Sequence, residues 1–147
     1  MILHAGLMAI RSGGAWRGVL IMGSSGAGKS DLMLRALDQG FRLVADDRTV
    51  AWISDARLFG RAPDTLAGLL ELRGVGILQE PSLPVAQICF AVRCETSASE
   101  VDRHPENAWE SIGSVRIPLL RAHALDASAP AKLGRALIRL GHSHRAA

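Results

Sequence analysis

Eight residues, GSSGAGKS from Gly23 to Ser30, constrain this chain more than any other stretch. They fit G-x-x-x-x-G-K-[ST] at Gly23, Gly28, Lys29 and Ser30, and the flanks supply the context that pattern needs. The apolar run GVLIM (Gly18 to Met22) precedes the loop and reads as a buried strand. After it, KSDLMLRALDQG places Leu32, Met33, Ala36 and Leu37 on one helical face and stops at Gly40, where a helix-terminating glycine belongs. Strand, glycine loop and helix in that order make a phosphate cradle. The glycines let backbone N–H groups turn inward around anionic oxygens, where a β-carbon would obstruct them. The positive end of the following helix favours the same anion. The candidate nucleotide-binding set is therefore Gly23, Ser24, Ser25, Gly26, Ala27, Gly28, Lys29 and Ser30. Lys29 is expected to reach the β- and γ-phosphates of ATP, and the Ser30 hydroxyl to ligate Mg²⁺.

The helix leaves room for only about three turns before FRLVA (Phe41 to Ala45), which reads as a strand running into Asp46 and Asp47. The second strand is thus expected beside the loop strand. An apolar strand ending in Asp is the usual second signature of a nucleotide site. Two adjacent aspartates permit a division of labour: one contacts the metal shell, the other accepts a proton from an attacking hydroxyl. The second could equally be a turn residue before Arg48. Farther on, Glu71 and Arg73 stand beside glycines in ELRGVGI. They read either as a surface ion pair, or as a metal ligand and a phosphate- or partner-contacting cation.

Elsewhere, RSGGAWR reads as a turn at Gly13 and Gly14, and TVAWI (Thr49 to Ile53) as a strand. Pro63 can open a helical turn with Asp64 near its start, and RGVGI must be a loop or irregular strand. PVAQICFAV (Pro84 to Val92) is a strand and ETSASEVDRHPEN a surface loop. VRIPLL (Val115 to Leu120) is an edge-strand candidate, because Pro118 cannot donate to a ladder. SAPAKLGRALIRLG is the closing helix, with Ser128 as N-cap, Pro130 in its first turn, and Leu133, Ala136, Leu137 and Leu140 on one face. No internal repeat stands out. Strands outnumber helices, so the expected fold is α/β: a mixed sheet with few helices carrying the phosphate loop, in one domain over residues 1–147.

Composition closes off other classes. The 48% hydrophobic content suits a packed core, with Leu, Val, Ile and Ala filling it because aromatics are only 4%. The net charge of +3 comes from 17 basic and 14 acidic residues spread along the chain, with no basic run, so no nucleic-acid partner is expected. MILHAGLMAIRSGG has neither a positive n-region nor a cleavage site, and no run approaches a membrane span. We read it as part of the fold and expect a cytoplasmic protein without a membrane partner. Cys89 and Cys94, about 16 Å apart on an extended chain, are too distant to bridge and read as reduced structural thiols. No Cys/His spacing suggests zinc.

Taken together, LHAG, GSSGAGKSDLMLRALDQGFRLVADD and LLELRGVGIL resemble the HPr kinase/phosphorylase family, over roughly His4 to Leu78. The loop alone is generic; the loop, the aspartate pair and E-x-R-G-x-G-I together are specific. The resemblance implies a catalytic core like the nucleotide-binding part of phosphoenolpyruvate carboxykinase. It implies transfer of phosphate from ATP to a serine of the phosphotransferase-system carrier HPr, and removal of that phosphate by inorganic phosphate to give pyrophosphate. Carried over by motif, Asp47 is the base for the seryl proton and the acid in reverse. Lys29 holds phosphates, Ser30 and Glu71 ligate Mg²⁺, and Asp46 is the first of the pair. His4 matches a histidine of the family's HG-type segment, although Ala5 intervenes here. The stretch Leu70 to Gln79, with Arg73, serves both directions. A late catalytic arginine maps best to Arg121, with Arg116 as the other candidate. Longer members carry a further N-terminal domain and a longer helical tail and assemble as hexamers, so a homo-oligomer is implied where family behaviour holds. The competing expectations are a P-loop small-molecule kinase, though no arginine-rich lid is evident, and a non-catalytic nucleotide sensor.

Overall fold

The structure, a computed structural model, describes residues 1–140, so residues 141–147 of the expected domain and the Leu140 side chain lie outside the described residues. The strands are β1 (Ile2–Leu3), β2 (Gly6–Ser12), β3 (Ala15–Met22), β4 (Arg42–Ala45), β5 (Thr49–Ser54) and β6 (Arg57–Arg61), then β7 (Leu69–Leu72), β8 (Gly76–Gln79), β9 (Ala86–Glu95), β10 (Ala108–Ile112) and β11 (Val115–His123). The helices are α1 (Lys29–Leu37) and α2 (Ala129–Leu140). The mixed sheet with few helices is as expected, and it holds nine of the described strands; β7 and β8 pair separately. No described helix is long and apolar enough to cross a membrane.

Gly13 and Gly14, both at positive φ (62° and 78°), make the two-residue hairpin turn that pairs β2 with β3 from Ser12↔Ala15 to Gly6↔Ile21. The expected turn is there, but its flanks are strand. The order β9–β3–β2–β4 puts β4 two strands from β3, with β2 between them, rather than directly beside it. Both β2 pairings are antiparallel, so β4 runs in the same direction as β3. On the other side β9 lies parallel to β3, and β11 parallel to β9. Four strands, β4, β3, β9 and β11, therefore end at one edge of the sheet. After β4, β3 and β9 the sequence turns polar or glycine-rich there, and ligands to parallel α/β sheets collect at such edges.

The sheet separates two cores. One packs Met8, Val19, Ile21, Phe90 and Val92 beneath Leu32, Met33 and Ala36 of α1 and Leu133 and Leu137 of α2. The other gathers Leu7, Leu20, Ile88 and Ala91 with Leu58, Ile112 and Ile117, where β5, β6 and the β10–β11 hairpin curl over. A register shift between Gly18 and Val19 bulges β9 at Cys89, which is why Cys89 and Cys94 both join the helix-side core despite odd spacing. Both thiols are free and buried.

β11 departs from its expected role as an edge strand. Its first half pairs antiparallel with β10, including Trp109↔Pro118, and its second half pairs parallel with β9 from Leu119 to His123. Pro118 stands just before the second pairing begins, so its missing N–H interrupts no β9 ladder bond. β6 and β10 carry no signal that the sequence reading used. The Pro63 prediction resolves as a short 3₁₀ turn, Asp64–Leu66, and RGVGI as the tip and first residues of the β7–β8 hairpin.

Candidate active site

The loop after β3 sits at that common sheet edge. Gly28 caps α1 in the left-handed region (φ 89°), and no side chain accepts from the first helical N–H groups. The helix start is thus left without a side-chain cap, as an anion site requires. Gly26, also left-handed (φ 83°), has no heavy atom within 4 Å of where a β-carbon would stand. The Lys29 ammonium donates to the carbonyls of Gly23 (2.6 Å) and Ser24 (3.3 Å), curling over the loop. The loop, Lys29 and Ser30 open into a cleft of ≈ 590 Å³ that also takes in Asp46, Asp47, Glu71 and Arg73.

The two aspartates part company at the end of β4. Asp47 adopts φ 63°, unusual for a non-glycine residue, and the Arg48 N–H closes a tight turn on the Asp46 carbonyl at 2.7 Å. That turn holds Asp46 half-buried and leaves Asp47 exposed on the cleft rim. Asp46 Oδ2 accepts the Glu71 backbone N–H at 3.0 Å, whereas its Oδ1 is buried and has no hydrogen-bond partner. Burial pushes the Asp46 carboxyl above its usual range, aided by the charges of Asp47 and Glu71; the Glu71 N–H and the Ser30 side chain oppose that rise.

Glu71 owes its place to its neighbour. Along β7 the alternation sends Leu70 into the helix-side core, fully buried, and leaves Glu71 exposed beside Asp46. Anchoring by a buried leucine stabilises such a strand by about 2–5 kcal/mol on the scale of Leu→Ala losses.

The donor set fits the groups the sequence suggested. A helix start without a side-chain cap and an open glycine face suit phosphate oxygens. A buried, unpartnered carboxylate oxygen suits a hydroxyl proton or the shell of a hard cation. Among the described residues no cluster of three or more His, Cys, Asp or Glu forms a metal cage of its own. Mg²⁺ fits here as an ion shared between protein oxygens, water and phosphate, its usual mode.

Other expected residues fall elsewhere. His4 is exposed in the turn between β1 and β2 and does not line the cleft. Arg121 points away from the loop, 3.6 Å from Glu95, and borders a different groove walled by residues of the 100–109 segment. Arg116 lies over the Trp109 ring at 4.6 Å. Neither arginine joins the loop and the carboxylates. In return, the cleft includes four apolar residues to which sequence reasoning gave no individual role: Leu72 and Val75, inside the expected Leu70–Gln79 stretch, and Leu34 and Leu125, outside every expected site segment. Nothing in their spacing marks them as a set, because they come from three separate segments: α1, the β7–β8 hairpin and the turn after β11.

Fold and cleft together define a P-loop-containing α/β domain whose glycine loop faces a carboxylate pair. Residues 1–84 match the family described as HPr Serine kinase C-terminal domain, and the chain belongs to that family. Relatives named HPr kinase/phosphorylase include one from Limosilactobacillus reuteri, 37% identical over 131 residues, covering 82% of this chain and 39% of the relative. One from Streptococcus pyogenes is 40% identical over 129 residues, covering 80% of this chain and 39% of the relative. One from Peptoclostridium acidaminophilum is 52% identical over 67 residues, 45% of this chain and 22% of the relative. The chain thus spans about two fifths of the length of the first two. A solved structure, that of the Hpr(Ser) kinase/phosphatase from Coxiella burnetii, superposes with TM-score 0.78 at 23% identity, over 95% of this chain and 88% of that one. At that identity the likeness speaks to the fold.

Proposed function

We propose that this chain transfers the γ-phosphoryl group of Mg²⁺·ATP to a serine hydroxyl of the carrier protein HPr, in the cytoplasm, and returns it to inorganic phosphate in the reverse direction. The observation that carries this reading is the buried, unpartnered Oδ1 of Asp46 in the same cleft as Lys29 and Ser30. A nucleotide-holding loop alone serves many ends. A loop that shares its cleft with a carboxylate whose one oxygen is buried and unpartnered is equipped to take a proton.

The roles follow from position. The loop N–H groups and Lys29 hold the phosphates, in line with the open face at Gly26 and the uncapped start of α1. Ser30 and Glu71 supply oxygens to Mg²⁺, which, when bound, neutralises charge on the transferring group. Motif matching gives the proton to Asp47. The buried, unpartnered Oδ1 favours Asp46 instead, and burial raises its carboxyl above the ordinary range, which strengthens a base. Asp47, on the rim, is left to face the incoming protein, together with Arg73. In the reverse direction Asp46 returns the proton to the serine oxygen, as microscopic reversibility demands. Assembly into a homo-oligomer is part of the same proposal. HPr incubated with γ-labelled ATP and Mg²⁺ tests it: label on an HPr serine is expected, released as pyrophosphate on adding phosphate. Label on a sugar or nucleotide instead, or nucleotide binding with no transfer, would overturn it.

A further inference from the structure

One wall of the cleft has no part in the chemistry above. Leu125 is 61% exposed, yet it lies against the loop: a β-carbon on Gly28 would stand 3.0 Å from its Cδ2. Leu125 occupies a turn, Ala124 to Asp126, that follows β11 directly. Most turn-tip leucines wave in solvent; this turn is fastened. The Arg35 guanidinium, projecting from α1, donates to the carbonyls of both Ala124 and Asp126, the latter at 2.9 Å, while its Nε holds Asp31 at 3.0 Å. The turn is also closed from within, by Asp126 N–H to the His123 carbonyl (3.1 Å) and by the 2.9 Å contact of His123 Nδ1 with Asp126 Oδ1.

The strand order says what this wall faces. Along the common edge, β4 lies two strands from β3 on one side, and β11 two strands from β3 on the other. Asp46 and Leu125 therefore line the cleft from opposite sides of the loop. The carboxylates mark the side where phosphoryl transfer occurs. A nucleotide whose terminal phosphate points toward them must extend its other end toward Leu125.

We propose that the Ala124–Asp126 turn is the nucleoside platform of this site: Leu125 packs against the sugar and base of the bound nucleotide, and Arg35 is a positioning residue that fixes the turn to α1. The inference rests on the nucleotide reading given above. Apolar contact by a rigidly held side chain is an efficient way to gain affinity for a flat ring, because little motion is left to freeze.

The test separates the two halves of the ligand. Calorimetric titration of the 147-residue chain with ATP and with inorganic tripolyphosphate, each with Mg²⁺, is repeated on Leu125→Ser and Arg35→Gln. Leu125→Ser is expected to weaken ATP about tenfold and tripolyphosphate less than twofold. Arg35→Gln is expected to weaken ATP about fivefold with the same sparing of tripolyphosphate, a split that general loosening of the fold would not produce. Equal weakening of both ligands, or none, in Leu125→Ser overturns the platform and leaves the phosphate loop standing. Failure of the unmutated chain to bind either ligand overturns the nucleotide reading, and the platform with it.

Discussion

Gly26 and Gly14 form a matched pair for testing where phosphate sits. Both are left-handed, at φ 83° and 78°, and at neither does a new β-carbon meet any heavy atom within 4 Å. Substitution by alanine therefore imposes the same backbone penalty at both, about 1–2 kcal/mol, and no steric one. For a chain of 147 residues that is a fall of roughly 3–6 °C in Tm for each variant. The two differ in location: Gly14 is in the β2–β3 hairpin turn, Gly26 on the floor of the cleft. At Gly26 the methyl group occupies the space meant for a phosphate oxygen. Displacing that oxygen from two charge-assisted N–H bonds costs about 3 kcal/mol, or more than about a hundredfold in affinity. Thermal unfolding and ATP titration are run on both variants. Equal Tm losses with nucleotide binding lost only in Gly26→Ala are expected. If Gly26→Ala binds ATP as well as Gly14→Ala does, the loop does not cradle phosphate through this face.

Further outcomes follow from the site geometry. Asp46→Asn should slow transfer to HPr by about 10²–10⁴-fold, the usual worth of general base catalysis, while Asp47→Asn slows it less than tenfold; steady-state rates in the reverse order would return the base to Asp47. Lys29→Ala removes the cation beside the loop and should weaken ATP by about a hundredfold, measured by titration, while its loss of two loop-carbonyl bonds shifts stability by only about 1 kcal/mol. The raised pKa of Asp46 also has a sign in stability. The native state binds this proton more tightly than the unfolded chain, so stability declines as pH rises from the ordinary carboxylate range through the raised native value. Denaturant melts at pH 4 and pH 7 should show that decline shrinking in Asp46→Asn; an unchanged slope would mean that the carboxyl is not desolvated.

How much of this was legible in the sequence depended on whether the information was local. The loop was legible because its chemistry is contiguous: strand, glycines, Lys29 and the apolar stripe of α1 occur in order, with nothing left to tertiary chance. The aspartate pair was legible as a pair, but the side chain that turns inward was not. That choice is made by the left-handed conformation of Asp47, which no composition rule gives for an Asp-Asp-Arg turn. Arg121 looked suitable because the family resemblance implies a catalytic arginine late in the chain. Register sets it opposite Arg93 on β9, with Glu95 two residues farther along, and its guanidinium meets Glu95 instead. β6 and β10 were missed because RLFGR and AWESI are short and lack a clean apolar–polar alternation, so their composition matches many loops.

The assembled site joins parts of unequal firmness. The loop and Asp46 rest on the long β3–β9 framework and on β4, all in the nine-stranded sheet. Glu71, Arg73 and Val75 ride on a two-stranded hairpin whose β8 is exposed throughout. An isolated hairpin is marginal in water, so its position depends on Leu70 in the core and on the Glu71 N–H bond to Asp46. That bond ties the position of the hairpin to the charge of the carboxylate: ionised Asp46 holds the N–H strongly, and a protonated one holds it weakly. Taking a proton from the acceptor serine would therefore loosen the hairpin that carries Glu71 and Arg73, at the moment when the phosphorylated product has to leave.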